Sequence, residues 1–134
     1  MNETVVTLVG WAATQVDYRE TESGPAARFR LAVRSRYWNR RQEAWADGPT
    51  SFYTVWANRA LAANLAGSVS VGEPLVVHGR LRVREVEKGE GRRFVSADVE
   101  AVTVGHDLAR GTAAFRRVMN ADTTLTEPQK AAVG

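Results

Sequence analysis

The stretch Ala27 to Trp38, ARFRLAVRSRYW, decides how this chain is read. Successive side chains of a strand point to opposite faces, so Phe29, Leu31, Val33 and Tyr37 fall on one side and Arg28, Arg30, Arg34, Arg36 and Trp38 on the other. This alternation predicts a sheet with an apolar inner face and an arginine-plus-tryptophan outer face. Such an outer face suits single-stranded nucleic acid, because guanidinium groups hold a phosphate backbone while an indole offers a flat platform to a base.

Working outward, Thr4 to Trp11 (TVVTLVGW) is rich in β-branched residues and predicts a first strand, bent or bulged near Gly10. Asp17 to Pro25 carries acidic and turn-forming residues and predicts a loop or an irregular edge hairpin. Asn39 to Ser51 is a polar excursion whose strongest turn signal is Asp47-Gly48-Pro49. Phe52 to Asn58 (FYTVWAN) predicts a third strand, with Phe52, Thr54, Trp56 and Asn58 on one side and Tyr53, Val55 and Ala57 on the other; either set is apolar enough to face inward. Arg59 to Ala66 predicts a helix, with Asn58 as its N-cap and Gly67 at its end.

A fourth strand is predicted over Leu75 to Val86, with Leu75, Val77, Leu81 and Val83 pointing one way and Arg80, Arg82 and Arg84 the other. Lys88 to Arg93 predicts a hairpin loop, and Phe94 to Val104 a fifth strand that buries Val95, Ala97, Val99 and Ala101. Ala113 to Met119 is compatible with a helical turn, and the polar run Asp122 to Gly134 is expected to be disordered. Five strands with one short helix between the third and fourth predict an all-β chain. The expected architecture is a five-stranded Greek-key barrel of the oligonucleotide/oligosaccharide-binding (OB) fold, which binds across its second and third strands. Residues 1–105 are expected to form that domain, and residues 106–134 a C-terminal extension that is largely a loose, disordered tail, with an ordered oligomer clamp as the alternative.

At 134 residues and 44% hydrophobic content the chain is large enough for one compact core. Its net charge is only +3, but basic residues are almost all Arg, with Lys only at 88 and 130. Between Ala26 and Arg84 ten arginines face three acids, Glu43, Asp47 and Glu73, and this local excess favours a polyanionic partner. The absence of cysteine excludes disulfides, thiolate metal sites and cysteine catalysis. His78 and His106 have no acidic cluster at ligand spacing, so neither a metal nor another cofactor is expected. The pairs Glu85/Glu87 and Asp98/Glu100 lack a nucleophile or histidine base in the pattern; they read as solvated charges, and no enzymatic activity is expected. No apolar run approaches the roughly 20 residues that span a bilayer, and a cytoplasmic, nucleoid-associated protein is expected.

From Thr4 to about Gly105 the chain resembles the bacterial single-stranded DNA-binding protein family. The resemblance is carried by TLVG of the first strand, Gly24 with the following ARFRLAV, Tyr37-Trp38, FYTVWANRALAANL over Phe52 to Leu65, and VGEPLVVHGRLRVR ending at Arg84. It implies a homotetramer of such barrels with single-stranded DNA wrapped over the outside. It also implies that Trp38 and Phe52 stack bases and that Arg80, Arg82 and Arg84 track the backbone. The chain departs from the family pattern at Trp11, Asn58 and Val86, where the family has an Asn and two stacking aromatics; Trp56 shares the side of Phe52. The end of the sequence, Pro128 to Gly134 (PQKAAVG), lacks the family's acidic tip, so tip-mediated protein recruitment is not expected.

The expected binding set is therefore Arg28, Arg30, Arg34, Arg36, Trp38, Arg40, Arg41, Phe52, Trp56, Arg80, Arg82 and Arg84. Trp45 reads equally as a stacking lid or a packing contact, and for Trp11 and Tyr18 an inter-subunit or structural role weighs at least as much as DNA contact. The expected function is sequence-nonspecific binding and protection of single-stranded DNA in recombination, repair, replication or chromosome handling. The alternatives are an accessory protein-interaction barrel of the replication machinery that binds DNA weakly, and an RNA-binding barrel.

Overall fold

The computed structural model describes residues 3–118. The strands are β1 (Thr4–Ala12), β2 (Asp17–Thr21), β3 (Gly24–Asn39), β4 (Ala44–Asn58), β5 (Pro74–Lys88) and β6 (Arg92–His106), and the helix α1 (Arg59–Ser68) lies between β4 and β5. The five expected strands are β1, β3, β4, β5 and β6. The acidic segment after β1 is an edge hairpin, in which β2 pairs with β3 from Asp17↔Arg28 to Thr21↔Gly24.

The strand order is β1-β5-β6-β4-β3-β2, and β1 also pairs with β3 at Trp11↔Ala32 and Ala12↔Leu31, so the sheet returns onto itself as a barrel. That return needs Gly10, because a Cβ there would collide with the carbonyl oxygen of Ala32. β4 and β6 meet in parallel over only Thr54 to Trp56 and Asp98 to Glu100. The core takes alternate residues from every long strand: Ala12, Ala27, Phe29, Leu31, Val55, Ala57, Leu75, Val77 and Val99 are buried together. Ala62 and Leu65 of α1 join them, so the helix packs against the barrel through one face. In β4 the inner set is thus the Tyr53, Val55, Ala57 side, which sends Phe52 and Trp56 outward.

Four local expectations are corrected. Asn58 holds the N-cap position with an extended backbone, yet its side chain makes no capping bond, and the helix runs through Gly67 to Ser68, where the Val69 N–H donates to Leu65 O. The hairpin turn between β3 and β4 is Arg40–Glu43, where Asn39 Oδ1 accepts from the N–H groups of Arg41 and Gln42 at 3.0 and 3.2 Å. Asp47-Gly48-Pro49 is instead a bulge inside β4. Val83 and Val95 are 62% and 67% exposed rather than inner, because β5 and β6 outrun the core beyond Leu81 and Val99. Residues 113–118 form no helical turn; Met119 and the run 122–134, including the C-terminal PQKAAVG, lie outside the described residues.

The Glu73 carboxylate fastens the start of β5 to the end of β6. Its Oε1 lies 2.8 Å from His106 Nε2 and accepts the Ser70 N–H at 3.0 Å. The hydrogen bond with His106, followed by that from Ser70, holds the Glu73 carboxyl below its ordinary value. Among the described residues no helix is long and apolar enough to cross a membrane.

Candidate nucleic-acid interface

β3 alternates sides along its length, but its inner side is covered only as far as Val33, so Tyr37, expected on the apolar inner face, is 50% exposed; the register with β4 assigns the outer face pair by pair. Arg28 opposes Trp56, Arg30 opposes Thr54, Ala32 opposes Phe52 and Arg34 opposes Thr50. The next outer pairs are Arg36↔Asp47 and Trp38↔Trp45. Between Arg34 and Arg36 the partner strand thus spends one extra residue, and this bulge inverts the parity of β4. It is locked by Ser35, whose hydroxyl donates to Pro49 O at 3.2 Å and leaves no room for a Cβ at Gly48. The inversion brings Trp45 onto the face of Trp38, their rings 5.8 Å apart and edge to face.

Aromatic and cationic groups alternate along this face. The guanidinium of Arg28 lies 5.4 Å from the Trp56 ring, that of Arg30 lies 5.2 Å from Phe52, and that of Arg34 lies 5.3 Å from Trp11. All three distances are within cation–π range. Ala32 is buried outside the core cluster, flanked in register by Trp11 on one side and Phe52 on the other. A methyl group there lets two aromatic side chains approach from neighbouring strands. Phe52 and Trp38 are each 49% exposed and Trp45 61%, whereas Trp56 is partly covered.

Charge on this face is compensated unevenly. Arg28 meets Asp17 at 3.5 Å, and Arg34 and Arg36 share Asp47 at 3.6 and 3.8 Å. Arg80 and Arg82 both meet Glu100, at 3.5 and 3.2 Å, and Arg84 meets Asp98 at 3.1 Å. Asp98 is only 8% exposed and also accepts the Ser96 hydroxyl at 2.8 Å. Asp98 and Glu100 are therefore counter-ions of the β5 arginines, not free solvated charges. Among the described residues Arg30, Arg40 and Arg41 join no ion pair; the last two sit on the β3–β4 turn. At the far edge the Glu20 carboxylate, accepting the Tyr18 hydroxyl at 2.6 Å, pushes that phenol above its ordinary value. No group of three or more potential metal ligands comes together among the described residues.

The structure thus gathers Arg28, Arg30, Arg34, Arg36, Trp38, Phe52 and Trp56 on one platform and extends it across β6 to Arg80, Arg82 and Arg84. The expected binding set did not include Trp45 or Trp11, for which sequence reasoning left ring contact and packing both open. The only signal for Trp45 was its aromatic character, because the bulge hides its parity; for Trp11 it was the neighbouring Gly10, which brings β1 against β3.

Comparison with known proteins agrees with this geometry. The sequence model of the single-strand binding protein family matches residues 2–107. The chain is 62% identical over 117 residues to single-stranded DNA-binding protein 2 of Streptomyces avermitilis, covering 87% of this chain and 73% of that protein. It is 54% identical over 130 residues to single-stranded DNA-binding protein 1 of Streptomyces coelicolor, covering 96% and 82%. The crystal structure of a small single-stranded DNA-binding protein from Streptomyces coelicolor superposes with a TM-score of 0.75 at 56% identity, over 83% of this chain and all of that one. The second single-stranded DNA-binding protein of Mycobacterium smegmatis superposes with a TM-score of 0.64 at 27% identity, over 87% and 100%. A barrel of this topology, matched over nearly all its described length by these relatives, belongs to the single-strand binding protein family.

Proposed function

We propose that this chain binds single-stranded DNA without sequence preference, shielding and straightening exposed strand during recombination, repair, replication or chromosome handling. The observation that carries this is the alternation of guanidinium and aromatic ring along the β3–β4 face, from Arg28 and Trp56 to Trp38 and Trp45. Arginines hold phosphates while Trp38, Phe52 and Trp56 stack bases, each stacked base contributing about 1–3 kcal/mol whatever its identity. Duplex DNA hides its base faces, so selectivity for single strands comes from the rings and not from the arginines. The names borne by the Streptomyces relatives support the same ligand.

We further propose that residues 1–105 are the binding domain and 106–134 an extension. The chain assembles as a homotetramer and works in the cytoplasm on the nucleoid. Tryptophan-fluorescence titration with a pyrimidine single strand beside the matching duplex tests the binding. Quenching confined to the single strand is expected; equal, unquenched binding of both forms would refute it and favour the protein-interaction barrel. Light scattering of the free protein tests the tetramer.

A further inference from the structure

Trp11 is the ring that β1 brings to the binding face, and its backbone is held from both sides, in register with Ala32 of β3 and Pro74 of β5. Its chain neighbours are fixed as well. Gly10 lies so close to the Ala32 carbonyl that no Cβ fits, and Ala12 is fully buried, its N–H donating to Glu73 O at 3.0 Å. Ala13 N–H in turn donates to Arg30 O at 2.8 Å. The indole therefore projects from a backbone that is tied to three other segments.

That indole meets one guanidinium. Arg28 and Arg30 find their rings on β4, at Trp56 and Phe52, but the β4 residue opposite Arg34 is Thr50, and the ring at Arg34 comes from Trp11 instead, at 5.3 Å. The polar partners of Arg34 hold it loosely: Thr50 Oγ1 lies 3.5 Å from its Nε and Asp47 Oδ2 3.6 Å from its Nη1. Both contacts are long, and Arg34 and Asp47 are well exposed, a setting in which an ion pair adds little. Asp47 is also shared with Arg36 at 3.8 Å, so two guanidinium groups meet one carboxylate and the set keeps one positive charge for an incoming anion. A ring contact uses up no N–H donor, so Arg34 can be held by the indole and still bond a phosphate.

We propose that Trp11 is a positioning residue for Arg34: the indole seats the guanidinium before the nucleic-acid strand arrives, so that Arg34 reaches phosphate with little side-chain freedom left to lose. An arginine that must be ordered on binding weakens association by the entropy of its rotamers, and a seat present in the free protein removes that cost. The proposal rests on the single-strand binding reading above and adds to it the way one of its cations is prepared.

The test is a double-mutant cycle on the full chain with Trp11→Leu, Arg34→Ala and the pair together, read by fluorescence anisotropy of a labelled pyrimidine oligonucleotide. Trp11→Leu is expected to weaken binding roughly 2- to 10-fold, the range for ordering one long side chain. In the Arg34→Ala background the same change is expected to cost nothing further, and Trp11→Phe, which keeps a ring, is expected to restore most of the affinity. Wild-type affinity in Trp11→Leu would overturn the proposal. So would additive losses in the double variant, because an indole that stacked a base itself, or only supported the fold, would act without Arg34. A second reading needs no variant: in the free wild-type protein the Arg34 Nε–H signal in NMR is expected to be displaced by the indole ring current, and a signal at the position of a free arginine would also overturn the seat. Any of these failures leaves the platform standing, whereas a wild-type chain that does not prefer single strands would remove both.

Discussion

Replacing Asp98 with Asn and Glu100 with Gln tests how the binding face uses its charge. Seven arginines stand on the sheet face, Arg28, Arg30, Arg34, Arg36, Arg80, Arg82 and Arg84, and five carboxylates pair with them: Glu3, Asp17, Asp47, Asp98 and Glu100. Each phosphate neutralised on a single strand contributes about 0.7 to the slope of log affinity against log salt. If paired arginines stay with their carboxylates, two uncompensated charges give a slope of about −1.4; if all seven turned to phosphate it would approach about −5. The double substitution removes two carboxylates while keeping amides that can still accept from Arg84 and Arg82. The slope is then expected to steepen by about 1.4, with tighter binding at low salt. Fluorescence titration across a salt series reads both quantities. A wild-type slope already near −5, or no change in the variant, would refute the view that Asp98 and Glu100 compete with phosphate.

Trp45→Ala is expected to weaken single-strand binding by about 1–3 kcal/mol and reduce quenching while duplex affinity stays the same; equal losses on both ligands would deny Trp45 a stacking role. Leu31→Ala empties a fully buried core position and should lower stability by about 2–5 kcal/mol in urea unfolding, and a loss well under 1 would contradict the core assignment. The folded Glu73 carboxyl titrates below its unfolded value, so its contribution is fully present above pH 4.5 and is lost as acid takes the pH through the depressed value. Melting temperature should therefore fall more steeply below pH 4.5 in the wild type than in Glu73→Gln, and parallel curves would exclude the effect.

The arginine strand was legible because β3 alternates without interruption, so parity alone put Arg28 to Trp38 on one face. Phe52 and Trp56 were legible only as a pair, since both sides of FYTVWAN are apolar and their direction is set by which side meets Leu31 and Val77. Trp45 was legible only as an aromatic with two readings, stacking lid or packing contact: parity counted back from Trp56 places it on the inner side, and one extra residue at the bulge reverses that. Val83 and Val95 failed for a different reason, because alternation continues in sequence after the barrel that gives it meaning has ended. The ion pairs of Asp98 and Glu100 depend on the register between β5 and β6, which no single strand encodes.

The bulge at Gly48 also has a bearing on how this hairpin tolerates changes in length. Elsewhere in a two-stranded ribbon, lengthening one strand by an odd number of residues swaps the surfaces of everything beyond, whereas an even number only carries the tip outward. Here one odd step is already built in, held by Ser35 and Pro49. Deleting Gly48 would leave Trp38 where it is and turn Trp45 to the reverse surface, giving a ribbon with one indole on each side. A descendant of this chain could therefore move from gripping a strand on one surface to presenting rings on both through the loss of a single codon, with the barrel beneath unchanged.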